Sequence, residues 1–532
     1  MNPCLFHNAQ IFLLDGNNNH CDAMVVENDC FKAFGTFQDL LLSFPDAIKV
    51  DLEGRFVFPG FNDAHIHLWK VGSLLGHTLD LRGVHSKPEL MALLHHFGVN
   101  ATSKGWLLAR GFNEALWENR SLPTCEDLDS LFPDRPCQVM RTCAHIVVVN
   151  SFALHLAGID ENTPDPLGGH IGRFENGKPN GILYEAAIKQ ITPFIPEITT
   201  AEYKKMILDA QEKCLEMGIT SITDPEIYTP QRLAYEALER EGLLKLRVNL
   251  FLVHLPDFKP LNPYLSKDPC IGKLQMDTLK FFADGGLSGQ TAAVFRPYNA
   301  SENYGVLRMS TDYFYNLASK GQINGWKIAT HAIGDAAIDQ VLTVYEKLKT
   351  EVNHLLVHRI EHLGLPHAGH FRRMNLLGTI CASQPAFVRE LGPNFRLYLD
   401  KEYQQIVYPY STLLREGVTL AFSSDAPVVR DFKPLSGIRD AVQRMDEQGF
   451  EHNPHEQIAM EQAFIAYTYG GALADGAGDI KGKMAPHFLA DFIVLNKNPF
   501  QSSWEDWDQI IIEKVYIGGK LIKEVIKKKT LL

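Results

Sequence analysis

Residues 56–67 read FVFPGFNDAHIH, an apolar run broken by Pro59-Gly60 and followed by a shorter one that closes on His65-Ile66-His67. In an extended chain, side chains two apart share a face, so these two imidazoles point the same way. Seven further segments share the texture: GITSITD (218–224), LRVNLFLV (246–253), DTLKFFADG (277–285), WKIATHA (326–332), HRIEH (358–362), GTICASQP (378–385) and TLAFSSDA (419–426). Helical patterns with apolar residues at i, i+3 and i+4 separate several of them, as in 203–218 and 336–350. Such alternation is the sequence form of a parallel α/β sheet, and eight strands are what a TIM-type (β/α)8 barrel needs.

Outward from the barrel, both ends of the chain read as short alternating strands between Gly, Asn and Asp turns. CLFHNAQIFLLD (4–15) is typical of the first end; ADFIVLNKNPF (490–500) and IIIEKVYIGGKLIKEV (510–525), with a Gly-Gly hairpin, of the second. We expect residues 1–57 and 480–532 to pair into one β-sandwich, and 58–479 to form the barrel domain. The stretch 70–215, after the first barrel strand, is too long for a single crossover and is expected to be an inserted subdomain.

Composition narrows the function classes. The chain has 532 residues, 45% hydrophobic and 21% charged, with a formal net charge of −12. That balance argues against nucleic acid or an anionic membrane as the main partner, since either needs a concentrated basic surface. The one basic cluster, Lys527-Lys528-Lys529, reads as a solvated terminus. Nine cysteines are scattered singly, as reduced thiols rather than a disulfide framework. Neither a leader-type start nor a run of about 18 apolar residues is present, so the expected location is cytoplasmic.

The chemistry-bearing residues stand at strand ends, where barrel enzymes keep their active sites. His65 and His67 can converge on one cation. His331 in KIATHAIGD and His362 in HRIEH close their strands likewise, although a histidine satisfied by neighbouring polar groups is the plainer reading of each alone. His358, four residues before His362, would pair with it only on a helix, and HLLVHRIEH reads as a strand. Asp425 ends the eighth segment, where a carboxylate could touch a metal and move protons; a turn or capping role is the alternative. Lys280 lies inside an apolar strand and needs a partner or a changed charge state. Reaction with CO₂ would give it an anionic carbamate able to bridge two metals. Asp63, Asp224 and Asp284 could orient the histidines or serve as loop acceptors.

Taken together, HxH after strand one, Lys in strand four, His after five, His after six and Asp after eight resemble the amidohydrolase superfamily. The surrounding FPGFNDAHIH, FFADGGLSGQTA, THAIGDAA, RIEH and SSDAPV are similar to the branch containing N-substituted formamide deformylases. The resemblance extends through the insertion, including GWLLARGFNEALWE (105–118) and DPLGGHIGRFENGKPNGILYE (165–185). It implies one or two divalent metals, zinc by default, held by His65, His67, Lys280, His331, His362 and Asp425, with a carbamate on Lys280. It further implies that hydroxide attacks a small amide-like substrate while Asp425 moves the proton. In such relatives the insertion covers the barrel mouth, which makes Trp106, Arg110, Asn113, Trp117, His145 and Glu185 pocket candidates. Gln384 and Arg389, on a neighbouring loop, could also reach the mouth. His145 follows Cys143-Ala144, where relatives often carry an acidic residue and Gly, and this departure bears on substrate contacts.

Two rivals stay open: a mononuclear deaminase using fewer of the same ligands, and a metal-free, non-catalytic scaffold. No HExxH, GxGxxG or P-loop occurs, which removes helical zinc proteases and phosphate-binding folds. A homodimer is the expected assembly if the barrel oligomerises.

Overall fold

The computed structural model describes residues 3–16, 19–100, 105–114, 117–142, 146–253, 272–352 and 356–525. The chain divides into two compact units, Trp69–Ala210 and the remainder, Met1–Leu68 with Gln211–Leu532.

The larger unit holds eight parallel strands in sequence order: Phe61–Asp63, Ile219–Ile227, Arg247–Leu252, Leu274–Phe282, Lys327–Ala332, Arg359–His362, Ile380–Ser383 and Leu420–Phe422. Each coincides with one of the segments read from the sequence. The sheet nearly closes on itself: Ala64 N–H donates to the Phe422 carbonyl (3.2 Å), and Ser424 N–H donates to Asp63 Oδ1 (3.0 Å). Every residue of Arg247–Leu252, and all but one of Ile219–Ile227, is buried. Such near-continuous burial is expected of parallel strands covered on both faces and explains their unbroken apolar runs. The helices Thr200–Glu216 and Asp335–Glu351 match the predicted 3.6-residue periodicities.

The opening motif divides between two sheets. Residues 56–59 belong to the long strand Ile48–Pro59 of the terminal sheet, and only Phe61–Asp63 enters the barrel. Gly60 makes the transition: a Cβ there would lie 2.3 Å from Thr220 Oγ1, so the crossing of the strands admits no side chain.

Both chain ends join one eight-stranded sheet. Its hydrogen-bond order runs Lys520–Glu524, Ile512–Ile517, Phe492–Leu495, Ile48–Pro59, Cys4–Phe12, Ala23–Glu27, Cys30–Gly35, with His20–Cys21 added to Cys4–Phe12. Phe6, Phe31, Val57, Phe492 and Tyr516 pack within one apolar cluster on it. Gly518 and Gly519, at φ +58° and +71°, form the predicted hairpin, a conformation that costs glycine least.

The smaller unit carries a six-stranded sheet, ordered Gly169–Arg173, Pro179–Glu185, Ile146–Val149, Cys137–Arg141, Leu107–Phe112, Thr78–Asp80. Its core includes Leu81, Leu94, Phe112, Trp117 and Val139. Among the described residues, no helix is long and apolar enough to cross a membrane.

Candidate metal centre

At the C-terminal end of the barrel three of the expected ligands come together. His65, His362 and Asp425 each offer a ligand atom, all within 4.8 Å of one another, and all three residues are buried. The backbone sets this up: Asp425 N–H donates to the His65 carbonyl (2.7 Å) and His67 N–H to the Ala426 carbonyl (2.9 Å), so the loops after strands one and eight are laced together. Nε2 of His65 and Nε2 of His67 lie 3.4 and 3.3 Å from the same Asp425 Oδ1. The His362 ring centroid is 5.0 Å from that of His65 and 4.5 Å from that of His331.

Strand alternation alone would not assemble this group. Glu361 and His362 are consecutive, and a regular strand would send them to opposite faces. His362 has φ +72°, Leu363 +52° and Asp425 +55°. Left-handed backbone at non-glycine residues is costly and concentrates at functional sites; here it brings His362 to the mouth beside Asp425.

The electrostatics suit a cation. Burial pushes His65 down to about 4, with Lys280 adding to the effect, and pushes His362 well below the usual imidazole range. Both shifts favour the neutral ring, which keeps a lone pair. Burial alone would raise Asp425, but His65, His67 and His362 overcome it and hold the carboxyl below its ordinary value. Lys280 is 1% exposed; burial lowers it to about 8 against the opposing pull of Glu361 and Asp425, and its Nζ has no hydrogen-bond partner among the described residues. Buried polar atoms are nearly always paired, yet Lys280 Nζ, His67 Nδ1 and Asp425 Oδ1 all lack hydrogen-bond partners among the described residues. The nitrogen and oxygen ligand atoms that His65, His362 and Asp425 bring within 4.8 Å of one another fit a divalent metal.

Three groups outside the expected ligand set hold two of its members, and a fourth stands near another. His65 Nδ1 faces the Glu361 carboxylate at hydrogen-bond distance. Arg359 clamps Glu361 through Nε–Oε1 (2.6 Å) and Nη2–Oε2 (2.9 Å). Gln384, proposed for substrate, is fully buried; its Oε1 accepts from His362 Nδ1 (2.8 Å) and its Nε2 donates to Ser423 Oγ (2.9 Å). Its place is behind His362 rather than facing a substrate. Glu226 lies at an irregularity of strand two with φ +62°, its Oε2 4.0 Å from His67 Nδ1. Sequence reasoning missed Glu361, Arg359 and Glu226. The first two carried a signal: charged residues two apart in an otherwise apolar strand share a face and must be paired when buried.

The other candidates fare as follows. Asp284 accepts from the backbone N–H groups of Ala293, Ile333 and Gly334 and lies 3.4 Å from His331 Nε2, which itself contacts the Gly285 carbonyl (2.9 Å). Asp63 accepts from His65 and Ser424 N–H, and Asp224 from Tyr235 Oη–H. Asp63 and Asp224 thus act as loop and side-chain acceptors. His358 is structural: Nδ1 accepts from Ile328 N–H and Nε2 meets Gln322 Oε1. Arg389 Nη1 lies 3.7 Å from Asp440 Oδ1.

Within the inserted unit, Trp117 is buried and its indole N–H donates to the Val84 carbonyl (2.9 Å), so it packs the core instead of lining a pocket. Trp106 borders a cavity of about 490 Å³ that Arg135, Glu202 and Lys205 also line. Asn113 Oδ1 accepts from Arg141 (2.9 Å), while Arg110 and Glu185 are exposed. His145, with Cys143 and Ala144, lies outside the described residues.

Comparison with known proteins agrees with this architecture. The amidohydrolase family profile matches residues 49–522. Protein LONG AFTER FAR-RED 3 of Arabidopsis thaliana is 30% identical, the match covering 97% of this chain and 91% of that protein. The N-substituted formamide deformylase of Arthrobacter pascens is 24% identical over 98% of each. A crystal structure of an uncharacterized metal-dependent hydrolase from Pyrococcus furiosus superposes with a TM-score of 0.77 at 27% identity, covering 94% of this chain and 100% of that one. With a family match over most of its length, this chain belongs to the amidohydrolase family.

Proposed function

We propose that the protein is a metal-dependent hydrolase acting on a carbon–nitrogen bond of the amide or formamide kind, in a small-molecule substrate. The observation that carries the reading is the convergence of His65, His362 and Asp425, with a buried lysine that has no hydrogen-bond partner among the described residues. The name of the Arthrobacter relative supports the choice of bond.

His65, His67 and Asp425 would hold one divalent ion and His331 and His362 a second, with zinc favoured by the donor set. Such ions supply charge that polarises a carbonyl and makes water more acidic. The remaining work falls to the chain. Asp425 is an ionised carboxylate within reach of both HxH rings; it accepts the proton released as water adds to the carbonyl and returns it to the departing nitrogen. Lys280, its charged form disfavoured by burial, adds through its nitrogen lone pair to CO₂. The new N–C bond forms as an N–H proton leaves to solvent, and the product is a carbamate anion able to join the two halves of the site.

The test is hydrolysis of formamides and N-acyl amines by protein reconstituted with zinc in bicarbonate, scored by amine release. Turnover reduced by about 100-fold or more by Asp425→Asn and by Lys280→Ala supports the reading. Full activity of Lys280→Ala would favour a one-metal site, and no hydrolysis of any member of the series would refute the assigned bond.

A further inference from the structure

We infer that Arg359 and Glu361 are positioning residues that lock His65 as a metal ligand, fixing both its ring and its backbone from the centre of the barrel. The inference rests on the metal-binding reading above.

Three observations carry it. Glu361 Oε2 receives both His65 Nδ1 and Arg359 Nη2. A carboxylate clamped by a guanidinium accepts only, so Nδ1 of His65 carries its proton and Nε2 is left as the lone-pair nitrogen. That nitrogen is the one 3.4 Å from Asp425 Oδ1. The same guanidinium then reaches the backbone: Arg359 Nη2 donates to the carbonyl of Ala64 (2.6 Å), the residue before His65. The clamp is also closed. Arg359 is 3% exposed, places Nη1 3.4 Å from the Ala474 carbonyl, and lies over the Phe251 ring at 4.8 Å.

A buried ion pair contributes little net stability over apolar residues of the same size, because desolvation offsets the attraction. Its position gives this one another use. Glu361 neutralises Arg359, so the device presents no net positive charge to an incoming cation, while the charge-assisted bond makes His65 a more basic ligand. The second histidine of the pair is held differently. Among the described residues His67 Nδ1 makes no hydrogen bond, and Glu226 Oε2 stands 4.0 Å from it. His65 is thus the fixed ligand of the HxH pair.

The experiment uses the full-length chain stripped of metal and titrated with Zn²⁺ against a chromophoric chelator, with Co²⁺ absorption and apoprotein melting measured in parallel. Glu361→Gln should weaken zinc binding by about 10- to 100-fold and shift the cobalt d–d bands. A purely structural role would lower melting while leaving those bands and the affinity unchanged. Because Glu361→Gln leaves Arg359 buried without a counter-charge, the double variant Arg359→Met/Glu361→Gln, which removes both charges, decides the matter if the single variant does not fold. Zinc affinity within about twofold of wild type and unchanged cobalt bands, in either folded variant, would overturn the inference. A wild-type chain that binds neither ion would overturn the metal reading first, and this inference with it.

Discussion

Replacing Lys280 with methionine should stabilise the metal-free protein. The lysine is fully buried without a hydrogen-bond partner among the described residues, and folding lowers it from the ordinary 10.5 to about 8. At about 1.4 kcal/mol per pH unit, that difference corresponds to about 3 kcal/mol of folding free energy lost wherever both states are protonated. The sign follows from proton counts. Below about pH 8 folded and unfolded chains both hold the proton, and the full cost stands. Between about 8 and 10.5 the unfolded chain holds a proton that the folded one has released, so wild-type stability rises with pH through that window. Methionine has a similar volume and no charge. The expected gain is therefore about 3 kcal/mol at pH 7, falling to about 1 kcal/mol at pH 10. Urea unfolding of chelator-treated wild type and Lys280→Met at the two pH values measures it, and zinc uptake by the variant should be lost in the same preparations. A variant no more stable than wild type at pH 7, or a gain that does not shrink by pH 10, would refute the reasoning.

Other expectations follow from the same contacts. Gln384→Leu removes the acceptor of His362 Nδ1 and should weaken zinc binding by about 10- to 100-fold, read by chelator competition. Trp117→Ala empties part of the inserted unit's core and should cost about 3–5 kcal/mol, seen as early proteolysis within Trp69–Ala210, with metal content unchanged. Asp425→Asn should keep the fold, since its backbone N–H bond to His65 remains, and should reduce kcat by about 10²- to 10⁴-fold in the amine-release assay.

The barrel was legible because its strands are short apolar runs, and because its reactive residues sit where those runs end. His65, His67, His331, His362 and Asp425 stand out at the ends of those runs and Lys280 inside one, and the family resemblance joined them into one expected ligand set. What supports them could not be read that way. Glu361 and Arg359 were visible as charges in an apolar strand, but their partner His65 is 296 positions from Glu361, and periodicity carries no information about pairing across a barrel. The positive φ values of His362, Asp425 and Glu226 come from tertiary packing, which overrides what residue type predicts. Gln384 was placed at the mouth on loop position; its amide is taken by His362 and Ser423. In the insertion, a tryptophan reads alike as pocket wall or core, and only the bond of Trp117 to Val84 separates the two.

The central claim, a metal-dependent hydrolase site built on His65, His362 and Asp425, is tested most directly by elemental mass spectrometry of protein purified without chelator, with protein concentration determined independently. The account predicts close to two equivalents of zinc or a similar divalent metal per wild-type chain, and loss of that metal from a folded Asp425→Ala variant. No metal in the wild type, and none taken up on reconstitution in bicarbonate, would contradict it.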